Sequence, residues 1–137
     1  MDEKNPDTQS AHPPKPGSAL ARLVQSFGFA FQGLAHLFRT QRNARIELCI
    51  GIAACAMGIW LKITPVEWCI LVLAIACVLI LEGLNTAMEA AVDLASPQKH
   101  PLAKTAKDVA AAMVLIAAIA SVIVGFLIFG IRLWKRW

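Results

Sequence analysis

Positions 81–93 read LEGLNTAMEAAVD, a segment that follows Val72, Leu73, Leu79 and Ile80 and yet carries Glu82, Asn85, Glu89 and Asp93. On one continuous helix, Asn85, Glu89 and Asp93 fall at roughly 300°, 340° and 20° from Glu82, so the four polar groups share a single stripe about 16 Å long. A stripe this narrow on an apolar rod is a polar seam, and a solvated face would be broader. Ionisable groups at membrane depth are costly, and they normally face a bundle interior, a cavity or a partner charge. A plainer reading leaves Glu89 and Asp93 in the headgroup region, paired with nearby lysines; Glu82, which lies deepest, is the hardest to explain that way.

The surroundings make the membrane reading necessary. Of 137 residues, 58% are hydrophobic and 16% charged, and the mean hydropathy of +0.61 exceeds what a soluble domain with a solvated surface carries. Three apolar stretches bracket the seam. Val109 to Ile131 is long enough to span a bilayer on length alone. Leu48 to Leu61 is short but extends outward if Glu47 and Lys62 snorkel to the headgroups, with Trp60 and Trp68 as an interfacial belt around the KITPVE turn. Trp68 to Leu81 extends only by running through the seam itself.

The expected architecture is therefore an all-α membrane protein. A tail over residues 1–19, rich in Pro and polar residues, is expected to be disordered and has no signal-peptide core. From Ser18, a plausible N-cap, residues 20–40 form an amphipathic helix lying in the membrane interface: Arg22, Gln25, Ser26, Gln32, Gly33, His36 and Arg39 on one side, Leu20, Leu23, Val24, Phe27, Phe31, Leu34 and Phe38 on the other. An amphipathic helix against a protein core is the alternative. Spans are expected at 46–63, 66–95 and 102–131 within a membrane domain over 20–137. The positive-inside rule sets Arg22, Arg39, Arg42, Arg45, Lys99, Lys104 and Lys107 against Lys62, Arg132, Lys135 and Arg136, which places the N-terminus and the 96–108 loop in the cytoplasm. The C-terminal GIRLWKRW reads as an interfacial anchor. Cys49, Cys55, Cys69 and Cys77 lie in apolar stretches without metal-ligand spacing and read as small buried hydrophobes.

The seam has a charged counterpart close by in the chain. Ser96-Pro97 ends one helix and His100-Pro101 starts the next, so Lys104, Lys107 and Asp108 fall in its first turns. A helix start presents unpaired N–H groups and partial positive charge, which together with two lysines suits phosphate. Carboxylates opposite such a start suggest a metal-bound polyphosphate between them, and phosphoryl transfer needs these groups: a carboxylate for the hydroxyl proton and cations for the phosphate charge. No Walker A sequence is present, since Gly28 and Gly33 are not followed by Lys-Ser or Lys-Thr.

The run Glu82-Gly-Leu-Asn85-Thr-Ala-Met-Glu89-Ala-Ala-Val-Asp93, followed by His100-Pro101-Leu-Ala-Lys-Thr-Ala-Lys107-Asp108, resembles the signature ExxNTAxExxVD and its companion in the small bacterial integral-membrane lipid kinases, which include diacylglycerol kinase and undecaprenol kinase. The resemblance covers about residues 20 to 132. It implies a homotrimer of three-helix protomers in the bacterial inner membrane, with active sites shared between subunits near the cytoplasmic interface. It further implies ATP and a lipid alcohol as substrates, Mg²⁺ as cofactor and no nucleic-acid partner. Under it, Glu82 is the catalytic base and a lipid-substrate contact, and Asn85 organises the site and touches the substrate. Glu89 binds the metal and ATP, Lys107 and Asp108 contact the nucleotide, Asp93 supports them, and Arg22 meets ATP or lipid phosphate. Gln41 stands where the family segment ERNxRIH has a metal-binding Glu; its amide oxygen still coordinates, but without charge it holds Mg²⁺ more weakly. Glu47, where the family often has His, compensates if it faces the same cavity. The RNARI segment and the NTAxExxVD run look closer to the undecaprenol kinase branch, with diacylglycerol as the alternative acceptor. A small oligomeric exporter or channel with Glu82 as its ion site, and a membrane scaffold with incidental charges, are the rival readings.

Overall fold

The computed structural model describes residues 19–134, and among them there is no strand. The expected 1–18 part of the tail, the Ser18 cap and the last three residues of the C-terminal anchor lie outside the described residues. The segment 19–33 is a unit of its own and wholly helical, with every side chain exposed, Leu20, Leu23, Val24, Phe27 and Phe31 among them. It belongs to α1, Ala19–Thr40, which the chain leaves at Gln41.

The second unit holds the three long helices. α2 runs Arg42–Leu61, α3 runs Pro65–Ala95, and α4 runs Pro101–Gly125 and continues through a π-helical turn, Phe126–Gly130, into α5, Ile131–Trp134. All three are long and apolar enough to cross a membrane. α2 starts four residues before the expected 46. Its end is set by Lys62, whose left-handed backbone (φ 51°, ψ 54°) lets Lys62 N–H reach Ile59 O at 3.2 Å and Ile63 N–H reach Gly58 O at 3.1 Å. This pair of bonds closes the last carbonyls of a helix, usually with glycine at the left-handed position. Two residues on, Thr64 and Glu67 form a capping box: the Thr64 hydroxyl accepts from Glu67 N–H at 3.4 Å, and the Glu67 carboxylate accepts from Thr64 N–H at 2.6 Å. With Pro65 in the first helical position, α3 is launched back antiparallel to α2.

Glycines set the α2–α3 spacing. A Cβ on Gly51 would lie 2.9 Å from Ile75 Cγ2, and one on Gly58 would lie 3.0 Å from Ile63 Cδ1 and 3.1 Å from Trp68 Cη2, so both close approaches need the missing side chain. Where the three helices meet, Leu61, Ile63, Leu71, Ile128 and Phe129 form the buried core. Arg132 closes this end. Its Nε and Nη2 donate to Glu67 at 3.2 and 2.6 Å, and its Nη1 donates to the carbonyls of Leu61 and Lys62 at 3.4 and 3.3 Å, tying α5 to both sides of the α2–α3 turn.

Toward the opposite end α2 and α4 diverge over α3. A cleft of about 280 Å³ lies between them, lined at helical spacing by Glu47, Gly51 and Ala54 of α2, Ala74 and Val78 of α3, and Ala118, Ser121 and Gly125 of α4. The snorkelling expected of Glu47 is corrected here. Because α2 begins at Arg42, Glu47 falls in its second turn and on the face of Gly51 and Ala54, so its carboxylate turns into the cleft, where Oε2 is buried with no hydrogen-bond partner. The cysteines also depart from expectation: Cys49, Cys69 and Cys77 are exposed on the outer helix faces and Cys55 is half-buried, all four as free thiols.

Candidate functional site

α3 continues unbroken through the seam, since no Pro or helix-breaking pair occurs before Ser96. Exposure is graded along it. Glu82 is 3% exposed and is the buried charged side chain among the described residues, Asn85 and Glu89 are half-buried, and Asp93 is exposed. Ala44, at the start of α2, is fully buried, and Leu37, near the end of α1, packs 3.8 Å from where a Gly83 Cβ would stand.

One turn on, Asn85 Nδ2 donates to Glu89 Oε1 at 3.3 Å, a bond allowed by their separation of four residues. Asn85 Oδ1 is buried and has no partner. A carboxylate and an orphaned amide oxygen thus sit side by side, a pair of hard oxygen donors. Thr86 Oγ1 donates to Glu82 O at 3.0 Å, which keeps the hydroxyl occupied on its own helix. Glu82 lies within electrostatic range of both Glu89 and Glu47.

The other end of the seam meets α4. Lys107 Nζ and Asp93 Oδ1 are 2.5 Å apart, bridging α3 to α4 across the 96–100 connection, and Lys104 Nζ lies 2.5 Å from Asp108 Oδ2 on α4 itself. Pro101 opens α4, and the His100 ring accepts at Nδ1 from Leu102 N–H at 3.2 Å, so one free N–H of the helix start is already satisfied by a side chain. Ser96, Lys99, His100, Lys104, Lys107 and Asp108 line a crevice of about 540 Å³, large enough for the phosphates of a nucleotide.

The structure thus brings together Asn85 with Glu89 and Asp93 with Lys107, and it seats Glu82 at the buried end. Lys107 and Asp108, expected as nucleotide contacts, are occupied with Asp93 and Lys104. Gln41 is half-buried at the break between α1 and α2, where its N–H donates to Leu37 O at 2.8 Å and its side chain caps nothing. Arg22 is exposed on the 19–33 unit, its carbonyl accepting from Ser26 Oγ at 2.9 Å. Among the described residues no three His, Cys, Asp or Glu side chains converge as a metal cage. Glu47 is the group that the sequence reading set at a helix end. The available signal was its spacing of four and seven residues from Gly51 and Ala54, which puts it on the face that packs.

The family model described as prokaryotic diacylglycerol kinase matches residues 28–129. A diacylglycerol kinase of Synechocystis is 47% identical over 104 residues, 75% of this chain and 59% of that protein, so the chain spans less than two thirds of that relative. An undecaprenol kinase of Bacillus subtilis is 41% identical over 110 residues, 80% of this chain and 89% of the relative. A diacylglycerol kinase of Escherichia coli is 31% identical over 106 residues, 77% and 87% of the two chains. By the extent of the match and by these relatives, the chain belongs to the prokaryotic diacylglycerol kinase family.

Proposed function

We propose that this protein transfers the γ-phosphate of ATP to the primary hydroxyl of a membrane lipid alcohol, with undecaprenol the favoured acceptor. The observation that carries the reading is the graded seam: a buried carboxylate at Glu82, a carboxylate–amide pair at Glu89 and Asn85 one to two turns on, and Lys107 across from its outer end. Glu82 takes the proton of the lipid hydroxyl as the alcohol oxygen bonds to the γ-phosphorus. The bond from that phosphorus to the β–γ bridging oxygen breaks, and ADP leaves with the electron pair. Lys107 exchanges Asp93 for phosphate oxygens and offsets their charge, with Asp108 positioned beside it for the nucleotide. Asn85 holds Glu89 in place and offers its free Oδ1 to the substrate side. Arg22 adds a cation for ATP or lipid phosphate.

Magnesium fits the donor set. Mg²⁺ is held by one or two carboxylates plus substrate phosphates rather than by a protein cage, and Glu89 with the free Oδ1 of Asn85 supplies such a sparse, all-oxygen set, to which Gln41 would add an amide oxygen if it faces the same site. Bound there, it would supply charge neutralisation to the phosphates.

A homotrimer in the inner membrane, with its N-terminus cytoplasmic and its sites completed between subunits, accounts for why a single chain leaves Glu82, Glu89 and Lys107 without a common cluster. The undecaprenol preference is supported by the RNARI segment and by the Bacillus subtilis relative, which matches over most of its length; diacylglycerol stays the second reading because the Synechocystis relative carries that name. An exporter has no use for the lysine-bearing start of α4. Transfer of labelled phosphate from ATP by the purified protein, with undecaprenol, diacylglycerol and dolichol in parallel, tests the reading: undecaprenol should be the fastest acceptor, faster transfer to diacylglycerol exchanges the two acceptors, and transfer to none removes the kinase.

A further inference from the structure

Arg39, Arg42 and Arg45 flank the break between α1 and α2, and each of them is exposed. The packed face of α2 fixes where the last two stand. Its buried residues Ala44, Gly51 and Gly58 fall at roughly 200°, 180° and 160° from Arg42, and Arg45 falls at about 300°. Arg42 therefore stands opposite the bundle, with Arg45 on its flank. Farther along α2, Ile46, Ile50 and Trp60 are exposed on the same outward side.

Nothing among the described residues neutralises this charge. Gln41 gives α2 no side-chain cap, the first turn holds no acidic residue, and the three guanidinium groups have neither an ion pair nor a hydrogen bond there. The described carboxylates are engaged or enclosed: Glu67 with Arg132, Asp93 with Lys107, Asp108 with Lys104, Glu89 with Asn85, Glu82 buried and Glu47 in the α2–α4 cleft. A second copy of this chain would bring the same carboxylates in the same engagements, so it is a poor source of counter-charge. The headgroup layer supplies what is missing. The 20 residues of α2 span about 30 Å, the thickness of a bilayer's hydrocarbon, so a bilayer matched to α2 would set Arg42 and Arg45 among the phosphates and Ile46 and Ile50 among the acyl chains. Arginine takes phosphate oxygens through two parallel N–H donors, and each further cation at an anionic surface adds to the attraction. We infer that Arg39, Arg42 and Arg45 form a binding surface for the headgroups of anionic phospholipids, whose acyl chains lie against the outer face of α2. This surface shares no residue with the polar seam or with the Lys107 crevice.

Native mass spectrometry of the full chain, released from nanodiscs of equal parts phosphatidylglycerol and phosphatidylcholine, tests it. The wild-type chain should retain phosphatidylglycerol over phosphatidylcholine at least about fivefold, and Arg39→Gln, Arg42→Gln and Arg45→Gln combined should bring the two lipids within about twofold of each other. Arg42→Gln alone, which touches no packed residue, should already lower the preference about twofold and serves if the combined variant does not fold. Lys62→Gln makes the same change of charge at the other end of α2 and should leave the preference in place, as should Lys in place of all three arginines. Millimolar Mg-ATP or inorganic phosphate should leave the lipid bound. An unchanged preference in the Gln variants overturns the proposal. So does an equal loss in Lys62→Gln, which would make net charge the cause, or in the Lys variant, which would trace the loss to the fold. Displacement by Mg-ATP or phosphate would assign the arginines to free phosphates instead. No readout depends on turnover, so this surface and the lipid kinase reading fail separately.

Discussion

Glu82→Gln removes a proton acceptor with almost no change in shape. Turnover should therefore fall by about 10²–10⁴-fold while the helices stay folded, a result that rapid-quench phosphotransfer and circular dichroism on the same sample would show together. Full turnover in that variant would take Glu82 out of the chemistry. Lys107 presents a different case. Its partner Asp93 is 67% exposed and Lys107 itself 34%, and a pair so solvated contributes about 0–1 kcal/mol, little enough for phosphate to displace it. Asp93→Asn should accordingly move KM for ATP less than about threefold, whereas Lys107→Ala should raise it about tenfold or more, and Mg-ATP should shield Lys107 from an amine-reactive reagent. For the metal, Glu89→Gln should weaken activation in a Mg²⁺ titration, and Gln41→Glu should strengthen it by adding charge to the same oxygen set. A titration curve identical to wild type in either variant places that residue elsewhere. The order of these groups along α3 was legible in the sequence because helical periodicity alone fixes it. The inward turn of Glu47 was not, since a carboxylate at the edge of an apolar run looks the same whether it faces headgroups or a neighbouring helix.

At the scale of elements, the three long helices were readable from hydropathy and from Ser-Pro and His-Pro punctuation. Their closure was not. The Arg132–Glu67 pair joins residues 65 positions apart, and the π-helical turn at 126–130 has no Pro or Gly pair ahead of it to announce it. That turn adds a residue to the helix just where Ile128 and Phe129 enter the core, and Arg132 then points back at the α2–α3 turn. The guanidinium and Glu67 side chains are 29% and 26% exposed, and the pair is bidentate with two further carbonyl contacts, so Arg132→Met should destabilise this end of the bundle. Thermal unfolding in detergent followed by circular dichroism would register the loss as a lower Tm, and an unchanged Tm would mean that the Leu and Phe contacts carry this end without it. Lys62→Gly works in the opposite direction. A non-glycine residue in left-handed backbone is strained by about 1 kcal/mol, and glycine at that position should raise the same Tm.

For the molecule as a whole, the decisive expectation is that one chain is not enough. Protomers carrying Glu82→Gln and protomers carrying Lys107→Ala should each be inactive alone, and unfolding and reassembling them together should restore part of the activity if a site draws on two chains. No recovery in the mixture, with mixed assemblies verified by sedimentation, would confine each site to its own chain. The helix lengths bear on where that site can sit. α3 has 31 residues and spans about 46 Å, while α2 has 20 and spans about 30 Å, close to the thickness of a bilayer's hydrocarbon. The surplus of α3 lies at the Asp93 end, so a bilayer matched to α2 would set Glu82 near the oil–water boundary and the Lys107 crevice in water. Under the proposed activity, a greasy acceptor and a highly charged donor would then meet without either changing solvent, and the rendezvous would depend on where the boundary falls. Bilayers of progressively longer acyl chains would submerge the meeting point, which makes membrane thickness itself a throttle on the rate.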